Sequence, residues 1–256
     1  MIVGRGTRLK ALAIMYHDVV ENGTYSASGF PGPAADRYKL DCKEFERHLR
    51  AIRDTVGDRP VTLTFDDGGV SAHERIAGMI GQYGWRGYFF VTTGWIGKPG
   101  FLNEGQIQEL DRLGHIIGSH SASHPVRMAQ IPWEEMVREW RTSLEELARI
   151  VGHGVDIASV PGGYYSRKVA QAAAQVGIRT LFTSEPTARE QMIDGCRVLG
   201  RYTVMRGMGP EWSAGFAAGR TLPRLRQAVA WNAKKAAKVV SGGLYLRARE
   251  AILRKA

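Results

Sequence analysis

The stretch VTLTFDDGG, residues 61–69, decides the fold. Val61 to Phe65 is a run of apolar and β-branched residues. It leads straight into two carboxylates, Asp66 and Asp67, and then two glycines. Such a run, bounded by glycine, reads as a short buried strand. Adjacent carboxylates in one site repel each other unless a cation or hydrogen bonds intervene. Neighbouring side chains also point in different directions, so the natural division is one metal ligand and one free base. An Asp-Asp-Gly is also a common turn. The apolar strand leading into it, and a histidine pair elsewhere in the chain, set this one apart.

Outward from this stretch, apolar runs alternate with helical patterns. Strands are expected at 11–16, 61–65, 87–91, 115–118, 156–160, 179–182 and about 197–205, and helices at 42–56, 71–83, 104–113, 133–151 and 166–176. The clearest helix is 133–151, where Trp133, Met136, Val137, Trp140, Leu144, Leu147 and Val151 recur at three- and four-residue steps. Asp41 suits an N-cap, and Gly57 and Gly152 suit helix stops. The alternation implies βα units and a mostly parallel sheet, open or closed as a barrel. Such folds carry their chemistry at the carboxyl ends of the strands, where Asp66 and Asp67 lie. Residues 21–40, rich in Gly, Pro, Ser and Ala, read as a long loop framing a cleft.

Charge is unevenly spread over the 256 residues. The net charge is +10, and residues 220–256 hold ten Lys and Arg against one acid, Glu250. The main part of the chain is therefore near neutral, which argues against a nucleic-acid grip. Two cysteines, Cys42 and Cys196, without CxxC spacing argue against a thiolate zinc site and a disulfide scaffold, and mildly favour a reducing compartment. The first twenty residues show no signal-peptide pattern, and no stretch approaches a spanning helix of ~20 apolar residues. A cytoplasmic location is expected, with contact at the inner face of the membrane as an option.

A second motif, IIGSHSASHP at 116–125, places His120 and His124 four apart, so that on a helical turn both would face one divalent metal. Alone the spacing is a weak signal; it gains weight from following an apolar strand.

LTFDDGG (63–69), SHSASHP (119–125) and VPGGYY (160–165) resemble successive motifs of the polysaccharide deacetylase family, the NodB-homology fold of carbohydrate esterase family 4. GYFFVTTGWIG (87–97) resembles the strand between the first two. The similarity covers roughly residues 11–206. It implies an α/β fold, a distorted (β/α) barrel of mostly parallel strands, with one divalent metal held by an Asp and two His. Zinc is expected first, with nickel, cobalt or iron as alternatives. The implied activity removes N-acetyl groups from amino sugars of a poly- or oligosaccharide. By matching position, Asp66 would be the general base, and Asp67, His120 and His124 the metal ligands. The Tyr164 backbone N–H would help hold the oxyanion, with Pro161, Gly163 and Trp95 near the substrate. For Trp95, packing is the competing and stronger reading.

The chain departs from the family in two places. No histidine follows His153, whereas the family keeps a late acid histidine. His17, in MYHDV at the end of the first strand, instead resembles the acid of a circularly permuted exopolysaccharide deacetylase branch. The third motif's usual arginine is replaced by Ser159, with Arg127 and Arg167 as candidate substitutes for its charge. The fourth motif is not visible, and Glu185 in LFTSEP is a weak stand-in. Asp18 is a ligand-site helper or else a solvated or capping carboxylate. His48, His73 and His153 are expected on the surface or on helix faces, His115 as structural, and the tryptophans of 133–151 in the core.

The expected domains are 1–219, catalytic, and 220–256, a basic helical extension. In the extension, Leu222, Leu225 and Val229 form one apolar stripe and Leu244, Ala248 and Ile252 another, with a break at Ser241–Gly243. It reads either as an element on an anionic membrane, suiting a lipid-linked glycan, or as helices packed back on the barrel. Alternative functions are a glycan-binding relative without turnover, motivated by Ser159, and a metal-dependent phosphodiesterase.

Overall fold

The expected apolar runs become short strands buried on both faces. In the computed structural model, which describes residues 12–21 and 23–240, the strands are β1 (Ala13–Tyr16), β2 (Val19–Val20), β3 (Leu40–Asp41), β4 (Thr62–Phe65), β5 (Gly87–Val91), β6 (Ile116–Ser119), β7 (Ile157–Ser159), β8 (Thr180–Phe182), β9 (Glu190–Ile193), β10 (Cys196–Leu199) and β11 (Arg201–Thr203). The helices are α1 (Pro33–Asp36), α2 (Cys42–Val56), α3 (Ala77–Gly81), α4 (Glu104–Arg112), α5 (Trp133–Val151), α6 (Arg167–Gln175), α7 (Pro210–Ala217) and α8 (Thr221–Val240).

Nine strands form one sheet in the order β11-β1-β4-β5-β6-β7-β8-β10-β9. All neighbours are parallel except β9 and β10. The β8–β10 side of the sheet is brought round beside β11 where β10 runs into β11. Thr183 N donates to Leu199 O at 2.8 Å, and Arg201 N to Glu185 O at 3.0 Å. Gly200 makes that bend possible: a Cβ there would meet Glu185 O at 2.4 Å. The result is the expected distorted barrel.

Because side chains alternate along a strand, each strand feeds two cores. Ile14, Tyr16, Leu63, Phe65, Phe89 and Tyr202 pack outward against α2, α3, α4 and α7. Ala13, Phe90, Phe182 and Leu199 form a separate inner cluster. The inner set continues upward at odd positions of β1 and even positions of β4, which brings His17 and Asp66 to the same end of the barrel.

Several elements differ from expectation. The strand expected at 197–205 splits at Gly200, and β9 precedes it. Asp194 and Gly195, with φ of 49° and 84°, form the two-residue turn of the β9–β10 hairpin. The helix expected at 71–83 begins as a π-turn, Ala72–Ile76, before α3. Residues 21–40 are not a bare loop: they hold a 3-10 turn at Tyr25–Ala27, α1 and the start of β3. Buried Lys39 ties them down, donating to Tyr25 O and to Phe30 O. The basic extension begins as one helix, α8; the break at Ser241–Gly243 and the second stripe lie outside the described residues. No described helix is long and apolar enough to cross a membrane.

Two residue placements are corrected. Trp140 is core, but Trp133, in the first turn of α5, is 36% exposed. His48 is not on the surface but fully buried, its ring within 2.6 Å of Ser213 Oγ and 2.9 Å of Met208 O. Ser213 also accepts from Tyr16 OH, so His48 joins α2 to α7 and β1. Burial lowers its pKa from the ordinary 6.5, opposed by the Met208 carbonyl. Below 6.5 the unfolded chain then binds a proton that the native ring refuses, so stability falls with falling pH. Urea midpoints should fall accordingly as pH is lowered, and an NMR titration should place the His48 midpoint below that of an exposed histidine. A His48 midpoint at or above that of an exposed histidine would refute this.

Candidate active site

β4 delivers both carboxylates to the carboxyl end of the sheet. They part because Asp67 takes a left-handed backbone, φ 77°, while Asp66 continues the inward alternation. Such a φ is strained for a non-glycine residue. Gly68 follows at φ 80°, packed so closely on Val91 that a Cβ would lie 3.1 Å from its Cα.

Asp67 Oδ1 lies 3.4 Å from His120 Nε2 and 3.4 Å from His124 Nε2. Among the described residues these form the one group of three metal-competent side chains with ligand atoms within 4.8 Å of one another. The two histidines do not share a helical turn. They sit on the loop after β6, whose Ser121 and His124 have φ of 66° and 62°. The loop is held by its own serines: Ser119 Oγ accepts from Ser121 N, and Ser121 Oγ from His124 N. His120 Nδ1 lies 3.0 Å from Ser159 O. A carbonyl can only accept, so Nδ1 carries a proton and Nε2 is the nitrogen that faces the cluster. One carboxylate oxygen and two imidazole nitrogens are the donor set of a catalytic divalent metal with positions left for water and substrate, so these residues fit such an ion. Burial pushes the Asp67 pKa up, but hydrogen bonds from His120 and His124 and the nearby His17 outweigh it and hold the carboxyl well below the usual range. Burial disfavours a proton on His124, yet Asp67 raises its pKa overall.

The charge missing at position 159 arrives from another strand. Arg201 of β11 is fully buried in the barrel, between the rings of Phe90 and Phe182. It grips Asp66 with two bonds, Nη1 to Oδ1 at 2.6 Å and Nη2 to Oδ2 at 2.7 Å. Its remaining donors reach Ser159 Oγ, Thr64 Oγ1 and Thr183 O. Ser159 Oγ in turn lies 3.2 Å from Asp66 Oδ2. Burial raises the Asp66 pKa, but the Arg201 charge, with His120 and His17, lowers it overall. The expected substitutes are elsewhere: Arg127 lies over the Tyr164 ring, 5.9 Å away, and Arg167 is exposed at the start of α6. The readable signal for Arg201 was an arginine in the apolar strand LGRYTV, since arginine is almost never fully buried without a partner.

His17 extends β1 toward both aspartates, and its ring packs on Tyr38 at 4.7 Å. Its Nδ1 is buried without a hydrogen-bond partner. Asp18 is neither solvated nor a helix cap. It is buried, and Oδ1 accepts from Ser28 Oγ at 2.5 Å and Ser71 Oγ at 2.8 Å. It thus clips the 21–40 segment and the turn after Asp67 to the exit of β1. That segment carries Phe30, which packs on His124 at 4.8 Å. Trp95 packs against Phe30 and Phe101, the competing reading given above.

The 160–165 loop forms another wall. Gly162, φ 64°, leaves no room for a Cβ, which would lie 2.4 Å from Val126 O just past His124. Pro161 is buried, and Gly163 faces Ser184 and Trp231 of α8, whose ring would lie 3.5 Å from a Cβ there. Tyr164 follows at φ −99°. Glu185 serves through its backbone, which accepts from Arg201 N. His73 and His153 pair with Glu109 and Asp111 away from the cluster, and His115 accepts from Gly87 N.

The comparisons fit this geometry. A family profile described as polysaccharide deacetylase matches residues 53–181, half of the chain. Two Bacillus subtilis relatives carry that family name: YxkH, 27% identical over 65% of this chain, and YheN, 25% identical over 51%. The chain spans 66% and 43% of their lengths. Among solved structures, the Streptococcus pyogenes deacetylase PplD superposes with a TM-score of 0.62 at 18% identity, covering 79% of this chain and 96% of that one. IcaB from Ammonifex degensii superposes with a TM-score of 0.62 at 17% identity, covering 82% and 97%. At such identities these structures speak for the fold. His17 and Arg201 both lie outside the matched 53–181.

Removing Arg201 would leave a buried carboxylate uncompensated. Arg201→Met is expected to cost about 3–5 kcal/mol in urea unfolding. Arg201→Lys should recover only part of this, since an ammonium cannot reproduce the two-pronged contact. A loss below about 1 kcal/mol for Arg201→Met would show that the pair does not hold the barrel top together.

Proposed function

The chain belongs to the polysaccharide deacetylase family, and from that premise we propose that it is a metal-dependent hydrolase removing N-acetyl groups from amino sugars of a poly- or oligosaccharide. The observation that carries this reading is the convergence of Asp67 Oδ1, His120 Nε2 and His124 Nε2 beside a separate carboxylate, Asp66, with an arginine of its own.

A divalent ion held by Asp67, His120 and His124, zinc first, would polarise the amide carbonyl and acidify a water. Asp66, kept ionised by Arg201, accepts the proton of the attacking water. As the carbonyl carbon becomes tetrahedral, the Tyr164 N–H donates to the developing oxyanion. Gly162 and Gly163 let that backbone approach closely. His17 gives a proton to the leaving amine nitrogen, and Tyr38 holds its ring in place. Pro161, Gly163 and the edge of Trp95 line the sugar.

Ser159 no longer motivates a relative without turnover, because Arg201 supplies the charge that Ser159 lacks. The proposal includes a lipid-linked glycan as substrate, supported by the concentration of basic residues in 220–256. Free cysteines at 42 and 196 suit its presentation on the cytoplasmic face.

Calorimetric titration of chelator-stripped protein with zinc should show one tight site, lost in His120→Ala. Asp66→Asn should keep the zinc yet release no acetate from acetylated chito-oligosaccharides. A folded protein without a tight site would overturn the metalloenzyme reading. Full turnover by Asp66→Asn would overturn the role of Asp66.

A further inference from the structure

α8 has two faces with different tasks. The inner face is built into the barrel. The Gln227 amide pairs with the free edge of β11, Oε1 accepting from Thr203 N at 3.0 Å and Nε2 donating to Thr203 O at 2.7 Å. Arg224 donates to Tyr202 OH, and Trp231 reaches the Gly163 wall of the candidate site. The outer face is apolar and bare. Leu222, Leu225 and Val229 are 58%, 56% and 60% exposed. Their spacing puts all three on one stripe. Other strongly exposed apolar side chains among the described residues, such as Leu113 and Met192, lie apart on other elements.

We propose that this stripe of α8 is a docking surface for an anionic lipid bilayer, holding the Gly163 side of the cleft at the membrane. The occupant is argued from charge. Residues 220–256 carry ten Lys and Arg against Glu250 alone, and Arg220 and Arg226 are exposed at the start of the helix. A second copy of the chain on this stripe would bring two such basic segments together with almost no acid to neutralise them. The apolar residues Leu244, Ala248 and Ile252, were they to fold back onto it, would do the same with Arg247, Arg249 and Lys255. A bilayer rich in acidic headgroups supplies both the apolar phase and the counter-charge, which is how amphipathic basic helices bind. What the membrane presents, a lipid-linked acetylated glycan, rests on the deacetylase reading; the docking does not.

The test is flotation of the intact 256-residue chain with phosphatidylcholine vesicles, with and without roughly one third phosphatidylglycerol. The chain is expected to float with the anionic vesicles, to float poorly with the neutral ones, and to bind less as salt rises. Leu222→Ser/Leu225→Ser/Val229→Ser should weaken anionic-vesicle binding about tenfold or more. Circular dichroism and zinc stoichiometry should be unchanged, because the three side chains touch solvent. The single variant Leu225→Glu should act in the same direction. Failure of the parent chain to bind, or equal binding by the triple variant, overturns the proposal. A dimer that the triple variant converts to monomer, with vesicle binding unaltered, assigns the stripe to a second copy instead. Zinc binding and acetate release with soluble oligosaccharide report on the deacetylase reading separately, so either can fail alone.

Discussion

A guanidinium and a carboxylate, both shut away from water, set the conditions for everything around them. Arg201 has five N–H donors, and each finds an acceptor: two on Asp66, and one each on Thr64, Ser159 and Thr183. These acceptors come from β4, β7, the end of β8 and the turn after β4. A buried charge tolerates no lesser arrangement, since each unmet donor would cost on the order of 1–3 kcal/mol. The pair therefore constrains the sequence at a distance. Position 159 must be small and hydroxylated because the guanidinium fills the space a larger side chain would need. Gly200 must lack a Cβ so that β11 can turn in and deliver Arg201. The same bonds explain how two carboxylates tolerate adjacency: Asp66 is neutralised from inside the barrel, while Asp67 turns away toward two imidazoles.

A second set of constraints holds the rim. Asp18 and Lys39 are both buried, and both bind the 21–40 segment, Asp18 through Ser28 and Lys39 through the carbonyls of Tyr25 and Phe30. Gly29 and Gly69 sit so close to the Asp18 carboxylate that a Cβ on either would overlap it, at 2.1 and 2.0 Å. Fixing the segment fixes Phe30 against His124 and Tyr38 against His17. A stretch whose composition suggests a mobile loop is thus a wall whose polar anchors are internal. This is why Gly, Pro and Ser content misled: those residues permit the turns, but Asp18 and Lys39 decide whether the turns are held.

What was legible in the sequence follows from how local each signal is. The strand VTLTF, the helix 133–151 with its Gly152 stop, and the cluster of Asp67, His120 and His124 all declare themselves within a few residues. The barrel interior did not, because Arg201 and Asp66 are 135 positions apart and only the closing of the sheet makes them neighbours. The HxxxH pair does converge, but through left-handed turns at Ser121 and His124 rather than helical periodicity. His48 looked like a surface histidine because its partners, Ser213 and the Met208 carbonyl, belong to α7, which carried no recognised pattern. The β9 hairpin has a local signal in its Asp194-Gly195 turn, but its strand, EQMI, is half polar and mostly exposed, so no apolar run marks it.

The place of α8 follows from the same logic. An edge strand leaves a row of backbone groups unpaired, a liability that folds cover. β11 is such an edge, and it also carries Arg201. Gln227 satisfies both backbone groups of Thr203 with one side-chain amide, two residues from the guanidinium that holds Asp66. The proposed boundary at 219/220 thus lies between α7 and a helix whose inner face closes the barrel beside its most demanding charge. With Trp231 against the Gly163 loop, the helix touches the site's frame at two points and leaves its apolar stripe outward. Its inner face thus belongs to the barrel, because Gln227 completes the β11 edge and Trp231 backs the Gly163 loop.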